Sequence, residues 1–560
     1  MESKSVLTKQ ETIKEQGRFL RGDLSEDLKS SKNKVTNNSS ELLKFHGIYQ
    51  GMDRDSVQKK SEGPSEKKWE FMARLRLPAG RMKAQQLLSL FPLVDRYGNG
   101  TIRATTRESI QFHGIAKGNL KKHIQNINDV LLSTMGACGD VVRNVMAPPA
   151  PLKDSRYEKI IEDALTLSHH FYPKTNAYHE IWHDGEEITR SEFEPLYGKS
   201  YLPRKFKMAI ALPEDNSVDV LTNDCAIVAL FKGQELMGYN LAIGGGMGMS
   251  HNNPHTYPRL ASPFIFVRPD DLISAVEGIV KIHRDYGDRT NRKHARLKYL
   301  VEEKGTEWIR EKFKGFYKGE FFDYWSHPPF EIPDHTGFHP EGDGLWYFGL
   351  PLASGRIFSS IKSAIEEILK TFGSDIIFTP DQNIIFCHLK KEDRQDLLNI
   401  LKKWGVKTPD QLSSLDKKFM TCVSLPSCGK ALAEAERVRG QLLEKVEEKW
   451  EQYFTKDKKL SLRLVGCPNG CARPYAAEIG LVGRLPGVYS LYIGGNWEGT
   501  RLNSKIFDQV SFSEIPDVLD ELFKMYSKNL RPSEFFGDFC FRWGESPLKN
   551  IILKRFPKLL

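Results

Sequence analysis

Nowhere in the 560 residues is there a run of eighteen apolar residues, so no segment of the chain can cross a bilayer as a helix. The opening stretch, MESKSVLTKQETIKEQ, is polar throughout and lacks the apolar centre of a cleavable export signal. Both absences predict a cytoplasmic, reducing location with no membrane partner. Glycine-rich phosphate loops are also lacking. GGGMG at 244–248 is the run that tempts a dinucleotide reading, but such a pattern is weak evidence outside a strand–turn–helix context. Without a flavin or NADPH site, reducing equivalents must come from another protein. Cysteine is scarce, with eight residues in all. In a reducing compartment clustered cysteines are more often metal ligands than disulfides.

Four of those eight cysteines fall within fifty positions: Cys422 and Cys428 in TCVSLPSC, and Cys467 and Cys471 in GCPNGC. Thiolates presented from two turns suit a [4Fe–4S] cluster, because soft sulfur ligands favour iron–sulfur chemistry. Structural zinc prefers pairs separated by two to four residues. The wider first pair therefore favours a cluster over zinc, with unrelated core thiols as the third possibility. GKALAEAERVRGQLLEKVEEKW, after Cys428, reads as one long helix with Val438, Leu442, Leu443, Val446 and Trp450 on one face. A helix starting there would aim its free amides and positive end at the Cys428 thiolate. Pro468, Asn469 and Gly470 make a turn whose amides can reach sulfur.

A second concentration of chemistry is cationic. YLPRKFK places Arg204, Lys205 and Lys207 within four positions. On a strand, Lys205 and Lys207 share a face, where two ammonium groups repel unless an anion lies between them. A solvated basic edge strand is the plain alternative.

TCVSLPSC…AEAER…GCPNGCARPYAAEIGLVG resembles the cluster-binding signature of the sulfite and nitrite reductases that carry siroheme beside a [4Fe–4S] cluster. LRGDLSEDL, KFHGIYQGMDRD, RLRLPAG, TIRATTRESIQFHGI, YLPRKFK, IGGGMGMSH and GDRTNRKHARLKY resemble the same family, in its order, from about residue 19 to 543. The resemblance implies six-electron reduction of sulfite to sulfide, or of nitrite to ammonia, with the paired lysines and the N-terminal motifs favouring sulfite. It implies Cys422, Cys428, Cys467 and Cys471 as cluster ligands, with Cys471 shared between the cluster and the siroheme iron. Arg74, Arg143, Lys205 and Lys207 fall on its substrate-contacting positions. Arg103, Thr105, Arg107, Gln111 and His113 fall on positions lining siroheme, the first three alternating along one strand face; Arg204, Arg289, Arg292 and Asn469 are further cofactor candidates, with Asn291 and Arg296 beside them. The glycines at 244–248 would let backbone approach the macrocycle. The implied electron donor is an NADPH-oxidising flavoprotein or a ferredoxin. Formal charge is +9. That excess reads as a solvated surface or a nucleic-acid footprint; the resemblance instead assigns it to a polycarboxylate cofactor and an anionic substrate, with no nucleic acid.

Length alone exceeds what one core supports. An internal echo joins TIRATTRESIQFHGI (101–115) to DIIFTPDQNIIFCHL (375–389), each preceded by a helical stretch. Repeats so far apart imply duplicated halves. The expected fold is α+β, with three domains and a pseudo-twofold duplication around the cofactor site. Residues 1–65 are expected as a surface arm, 66–135 with 334–409 as a central domain, 136–333 as a second domain, and 410–560 as the iron–sulfur domain.

Overall fold

A computed structural model describes residues 6–58, 67–184 and 194–559. In chain order the first strands are β1 (Ile48–Met52), β2 (Trp69–Arg74), β3 (Arg81–Met82), β4 (Ile102–Thr105) and β5 (Ser109–Ile115). Next come β6 (Met208–Ala211), β7 (Cys225–Lys232), β8 (Glu235–Ile243) and β9 (Ser262–Val267). A second group repeats the first: β10 (Gly337–Pro340), β11 (Trp346–Leu350), β12 (Arg356–Ile357), β13 (Ile376–Phe378) and β14 (Ile384–Leu389). The last are β15 (Met420–Thr421), β16 (Leu462–Val465), β17 (Ile479–Leu485), β18 (Val488–Ile493) and β19 (Ser504–Ser511).

The echo seen in sequence is a pair of hairpins, β4–β5 and β13–β14. Each follows an amphipathic helix, Ala84–Tyr97 or Ser359–Phe372. In the first, Leu87, Leu90, Phe91 and Val94 are buried at helical spacing. The two halves exchange their shortest strands. β12 pairs with β4 through Arg356 and Arg103, and β3 pairs with β13 through Met82 and Ile376. The resulting sheets run β1-β2-β5-β4-β12 and β10-β11-β14-β13-β3, so neither half completes its own sheet. The chain makes the same left-handed turn before each exchanged strand, with Ala79 and Gly80 in one half and Ser354 and Gly355 in the other. A Cβ on Gly80 would lie 2.1 Å from the Phe378 carbonyl oxygen, and one on Gly355 2.3 Å from that of Ala104. Only glycine permits either approach.

The other two sheets are a second repeat. β6 is parallel to β7, and β7, β8 and β9 follow antiparallel. β16, β17, β18 and β19 repeat that order, with β15 added parallel to β16.

Residues 6–58 carry elements of their own. Helices Lys9–Gln16, Leu24–Lys29 and Asn37–Leu43 bury Leu24, Leu42 and Leu43, and β1 is the edge strand of the first sheet. Their polarity misled because the segment anchors by charge. Lys14 is buried, with its ammonium on Glu11 and on the Leu202 carbonyl.

Candidate functional site

The four thiols of the cysteine signature leave the ends of two adjacent parallel strands. β15 and β16 pair with Thr421 beside Leu464, so the loops carrying Cys422 and Cys467 emerge at the same edge. The Gly466 amide donates to Cys422 Sγ at 3.3 Å, and Asn469 Nδ2 lies 3.6 Å from Cys467 Sγ. The amides of Lys430 and Ala431 face Cys428. Burial, and then the neighbouring Cys471, push the Cys467 thiol up to about 12 and raise Cys422 and Cys428 as well. Thiols this costly to ionise together need a cation to hold them as thiolates. No three His, Cys, Asp or Glu among the described residues are gathered for one metal ion. A single ion with sulfur at about 2.3 Å would need a tighter set than a multi-iron cluster.

The helix expected directly after Cys428 begins only at Arg439, after a short turn at Glu436–Val438. Tertiary hydrogen bonds hold the intervening chain in turns and bends: Leu432 and Ala433 both donate to the Gly466 carbonyl, and Ser424 Oγ donates to that of Ala433. The amides facing Cys428 therefore belong to a turn, without a helix dipole behind them.

Opposite the thiols stands a sheet face of cations. Cross-strand pairing aligns Arg356, Arg103, Gln111 and Arg74 over β12, β4, β5 and β2. Directly opposed residues share a face, and alternation adds Thr105 and His113 to it, while Ala73, Ile102, Ala104, Ile110 and Phe112 fill the core behind. Glu436 accepts from both Arg103 and Arg356. Arg74 donates to Cys138 Sγ at 3.1 Å, and the Gln111 amide oxygen, once turned toward it, accepts from Arg74 Nε at 3.0 Å. Burial and then Arg356, Arg103 and Arg74 hold His113 well below the usual imidazole range. Arg107 is not on the strand as expected. β4 ends at Thr105, and Arg107 sits in the hairpin turn, donating to the carbonyls of Asn144 and Met208 and to Asn223 Oδ1. Burial and then Arg473 lower it to about 9.

Lys205 and Lys207 lie in an irregular segment that precedes β6 rather than on a strand. Phe206 between them is buried and bridges to Val142, which fixes the local alternation. Neither ammonium has a carboxylate within ion-pair distance among the described residues, because Asp224 is taken by Arg296 and by the Lys207 amide. Burial, then Arg204 for Lys205 and Arg107 for Lys207, drives both well below the ordinary lysine range. Cys471 is the neighbour whose negative charge would oppose that shift in both. Arg143 is buried, with its guanidinium on the carbonyls of Gly139 and Ala137.

Three of the expected cofactor contacts also lie beside protein carboxylates. Arg292 grips Asp140 at 2.7 and 2.9 Å, Arg204 lies 3.7 Å from the same carboxylate, and Arg289 pairs with Glu11. Asn291 caps its own turn. The glycines at 244–248 approach protein rather than open space: Gly245 abuts the carbonyls of Leu221 and Asn223, and Gly246 abuts the Arg296 guanidinium. Sequence reasoning missed Arg356, which reaches the site through the exchanged strand β12, Glu436, which meets it from the turn before the Arg439–Trp450 helix, and Tyr49, whose ring lies under Arg74.

The duplication supplies a second cleft. Gly349 faces Ile385 as Arg74 faces Gln111, and Phe378 faces Ile384 as Ala104 faces Ile110. By that count Thr379 answers to Thr105 and Asp381 to Arg107. Met420 pairs with Arg463 as Met146 bridges Ala209, so Lys417 answers to Arg143. Asp219 and Arg473 are both left-handed, at φ 47° and 54°, six residues before β7 and β17, so Ser217 answers to Cys471. Gly349, Ile385, Thr379, Asp381, Lys417 and Ser217 all line one open cleft of about 380 Å³. It is the site's counterpart without its thiol or its row of guanidinium groups. Lys418 there is paired with Asp381 at 2.6 Å.

Comparison with known proteins follows the same repeat. The family model described as nitrite and sulphite reductase 4Fe-4S domain matches residues 162–319 and 417–560. The nitrite/sulfite reductase ferredoxin-like half domain matches 64–130 and 339–404. The chain is 39% identical over 542 residues to the sulfite reductase [NADPH] hemoprotein beta-component of Staphylococcus carnosus, covering 95% of each. It is 39% identical to the sulfite reductase [ferredoxin] of Synechococcus elongatus, covering 97% of this chain and 90% of that one. Among solved structures the Mycobacterium tuberculosis NirA protein shares the fold, with a TM-score of 0.79, 23% identity and 97% of each chain covered.

Proposed function

The chain belongs to the nitrite and sulphite reductase family, and on that premise we propose that it is the siroheme- and [4Fe–4S]-bearing component of a sulfite reductase, reducing sulfite to sulfide. The observation that carries the reading is the pair of half-buried ammonium groups, Lys205 and Lys207, which lie close together beside Cys471 with no carboxylate partner among the described residues. Such a pair is costly unless an anion joins it.

The residues suit both cofactors. Cys422, Cys428, Cys467 and Cys471 hold the cluster, with amide donors on the first three sulfurs. Cys471, exposed beside the cations, would be the thiolate shared between the cluster and siroheme. Arg74, Arg103, Thr105, Gln111 and His113 offer the polar sheet face that a macrocycle bearing carboxylates needs. When bound, siroheme would supply the redox-active iron through which electrons reach the substrate. Lys205, Lys207, Arg74 and Arg143 hold the oxyanion and balance its charge. Each oxygen leaves as water, which takes two electrons and two protons, and ammonium groups of depressed pKa beside the substrate are suited to deliver those protons. A cytoplasmic location goes with this reading, since free thiolates and a low-potential donor both need a reducing compartment. No helix among the described residues is long and apolar enough to cross a membrane. The donor is a partner protein: an NADPH-oxidising flavoprotein, or a ferredoxin in the second reading, since relatives named for each match equally well.

The test is the visible spectrum, iron and acid-labile sulfide of the purified protein, with sulfide production driven by reduced viologen. A siroheme spectrum with sulfide formed faster than ammonia from nitrite is expected. A colourless protein with stoichiometric zinc would overturn the reading. Supplying the flavoprotein and the ferredoxin in turn then identifies the donor.

A further inference from the structure

The Cys471 loop is held from outside its own domain by a clamp that the chemistry above does not use. Asp219 Oδ2 accepts from Arg473 Nε at 2.5 Å and from Arg463 Nη1 at 2.7 Å, and all three residues are buried. Arg463 also donates to the Arg473 carbonyl at 3.1 Å, so Arg473 is gripped at both backbone and side chain. The rest of the Arg473 guanidinium spans the duplication. It donates to the carbonyl of Thr106 in the β4–β5 turn at 2.8 Å, and to that of Pro380 in the β13–β14 turn at 3.3 Å. Thr106 Oγ1 completes the circuit by donating to the Cys471 carbonyl at 2.9 Å.

The other end of the clamp reaches the cations. The Asp219 carbonyl accepts from the Thr222 amide at 2.9 Å and from Thr222 Oγ1 at 2.7 Å. Directly beyond that turn, Asn223 seats Arg107 and Asp224 holds the Lys207 amide. One buried carboxylate thus joins the loop of the shared thiolate to the loop that orders the lysines.

We infer that Asp219 is a positioning residue: through Arg473 it fixes Cys471 relative to the cationic face, and so sets the contact between cluster and siroheme. This rests on the function proposed above. Neither Asp219 nor Arg473 reaches the thiol itself. A buried ion pair adds little net stability over an apolar replacement, whereas a clamp between two loops that must meet earns its place through geometry.

The experiment compares wild-type holoenzyme with Asp219→Asn, Asp219→Glu and Thr106→Val. Each is assayed for iron and siroheme content, for the Mössbauer and EPR signature of coupling between the two iron centres, for sulfite turnover with reduced viologen, and for its melting temperature. Asp219→Asn is expected to keep cluster iron and siroheme but weaken the coupling signature, and to lower kcat by roughly tenfold or more with KM within about twofold. Asp219→Glu should recover part of both. Thr106→Val removes one hydrogen bond without burying a charge, and should shift the same signature in the same direction by less. If Asp219→Asn fails to fold, the other two variants decide. A lower melting temperature with unchanged coupling and kcat would make the clamp merely structural and overturn the inference. Absence of a coupled spectrum in the wild type would instead overturn the proposed function.

Discussion

Lys207 and Arg143 carry the same charge but are held by different means, and their variants should differ accordingly. Lys207 holds its place by its backbone amide, and its ammonium has no carboxylate partner among the described residues. Arg143 satisfies the carbonyls of Gly139 and Ala137. Lys207→Ala and Arg143→Ala should each keep both cofactors and lower sulfite turnover by roughly a hundredfold, the scale for one preorganised charge-stabilising donor. Only Arg143→Ala should also lower the melting temperature, because two buried acceptors lose their donors at about 1–3 kcal/mol each. Viologen-driven turnover, siroheme absorbance and a thermal scan separate these effects, and wild-type turnover in both would return YLPRKFK to a plain basic surface. Among single residues, the cysteines and the lysine pair stood out because their spacing is itself chemical, although the strand expected for the lysines is an irregular segment. The pairing of Arg289 with Glu11 and of Arg292 with Asp140 was not legible, because those carboxylates lie far away in sequence and carry no local sign of that role.

Hairpins announced themselves and exchanged strands did not. The alternation in 101–115 and 375–389 extends over enough residues to be read, whereas β3 and β12 are two residues each and have no period. The stretch after Cys428 has helical propensity throughout, yet three hydrogen bonds to Gly466 and Ala433 override its first ten residues. The turn before each exchanged strand is the sharpest local requirement. Gly80→Ala is expected to cost about 2–4 kcal/mol, since it places a side chain at φ 69° and 2.1 Å from the Phe378 oxygen. Gly118→Ala, in open space, should cost under about 1 kcal/mol. Denaturation midpoints of the two variants make the comparison, and equal midpoints would mean that the turn can relax.

At the scale of the molecule, two clefts of common architecture have diverged, one rich in unpaired cations and the other neutralised within itself. Lys417→Ala, at the position answering to Arg143, should therefore leave sulfite turnover within about twofold, and a loss like that of Arg143→Ala would show that the second cleft contributes to the reaction. The sequence held the duplication but not this divergence, because Gly349 and Ile385 gain meaning only from the register that sets them opposite Arg74 and Gln111. The strand exchange also imposes a timetable. Met82 waits for Ile376, a partner about 290 residues further along the chain. At about 5–20 residues per second of synthesis that is roughly 15–60 s. Through that interval the nascent β3 has no partner, and the first sheet lacks β12 and exposes the edge of β4. Such an edge invites pairing with other chains, so the ribosome must deliver most of this protein before its earliest strands are safe.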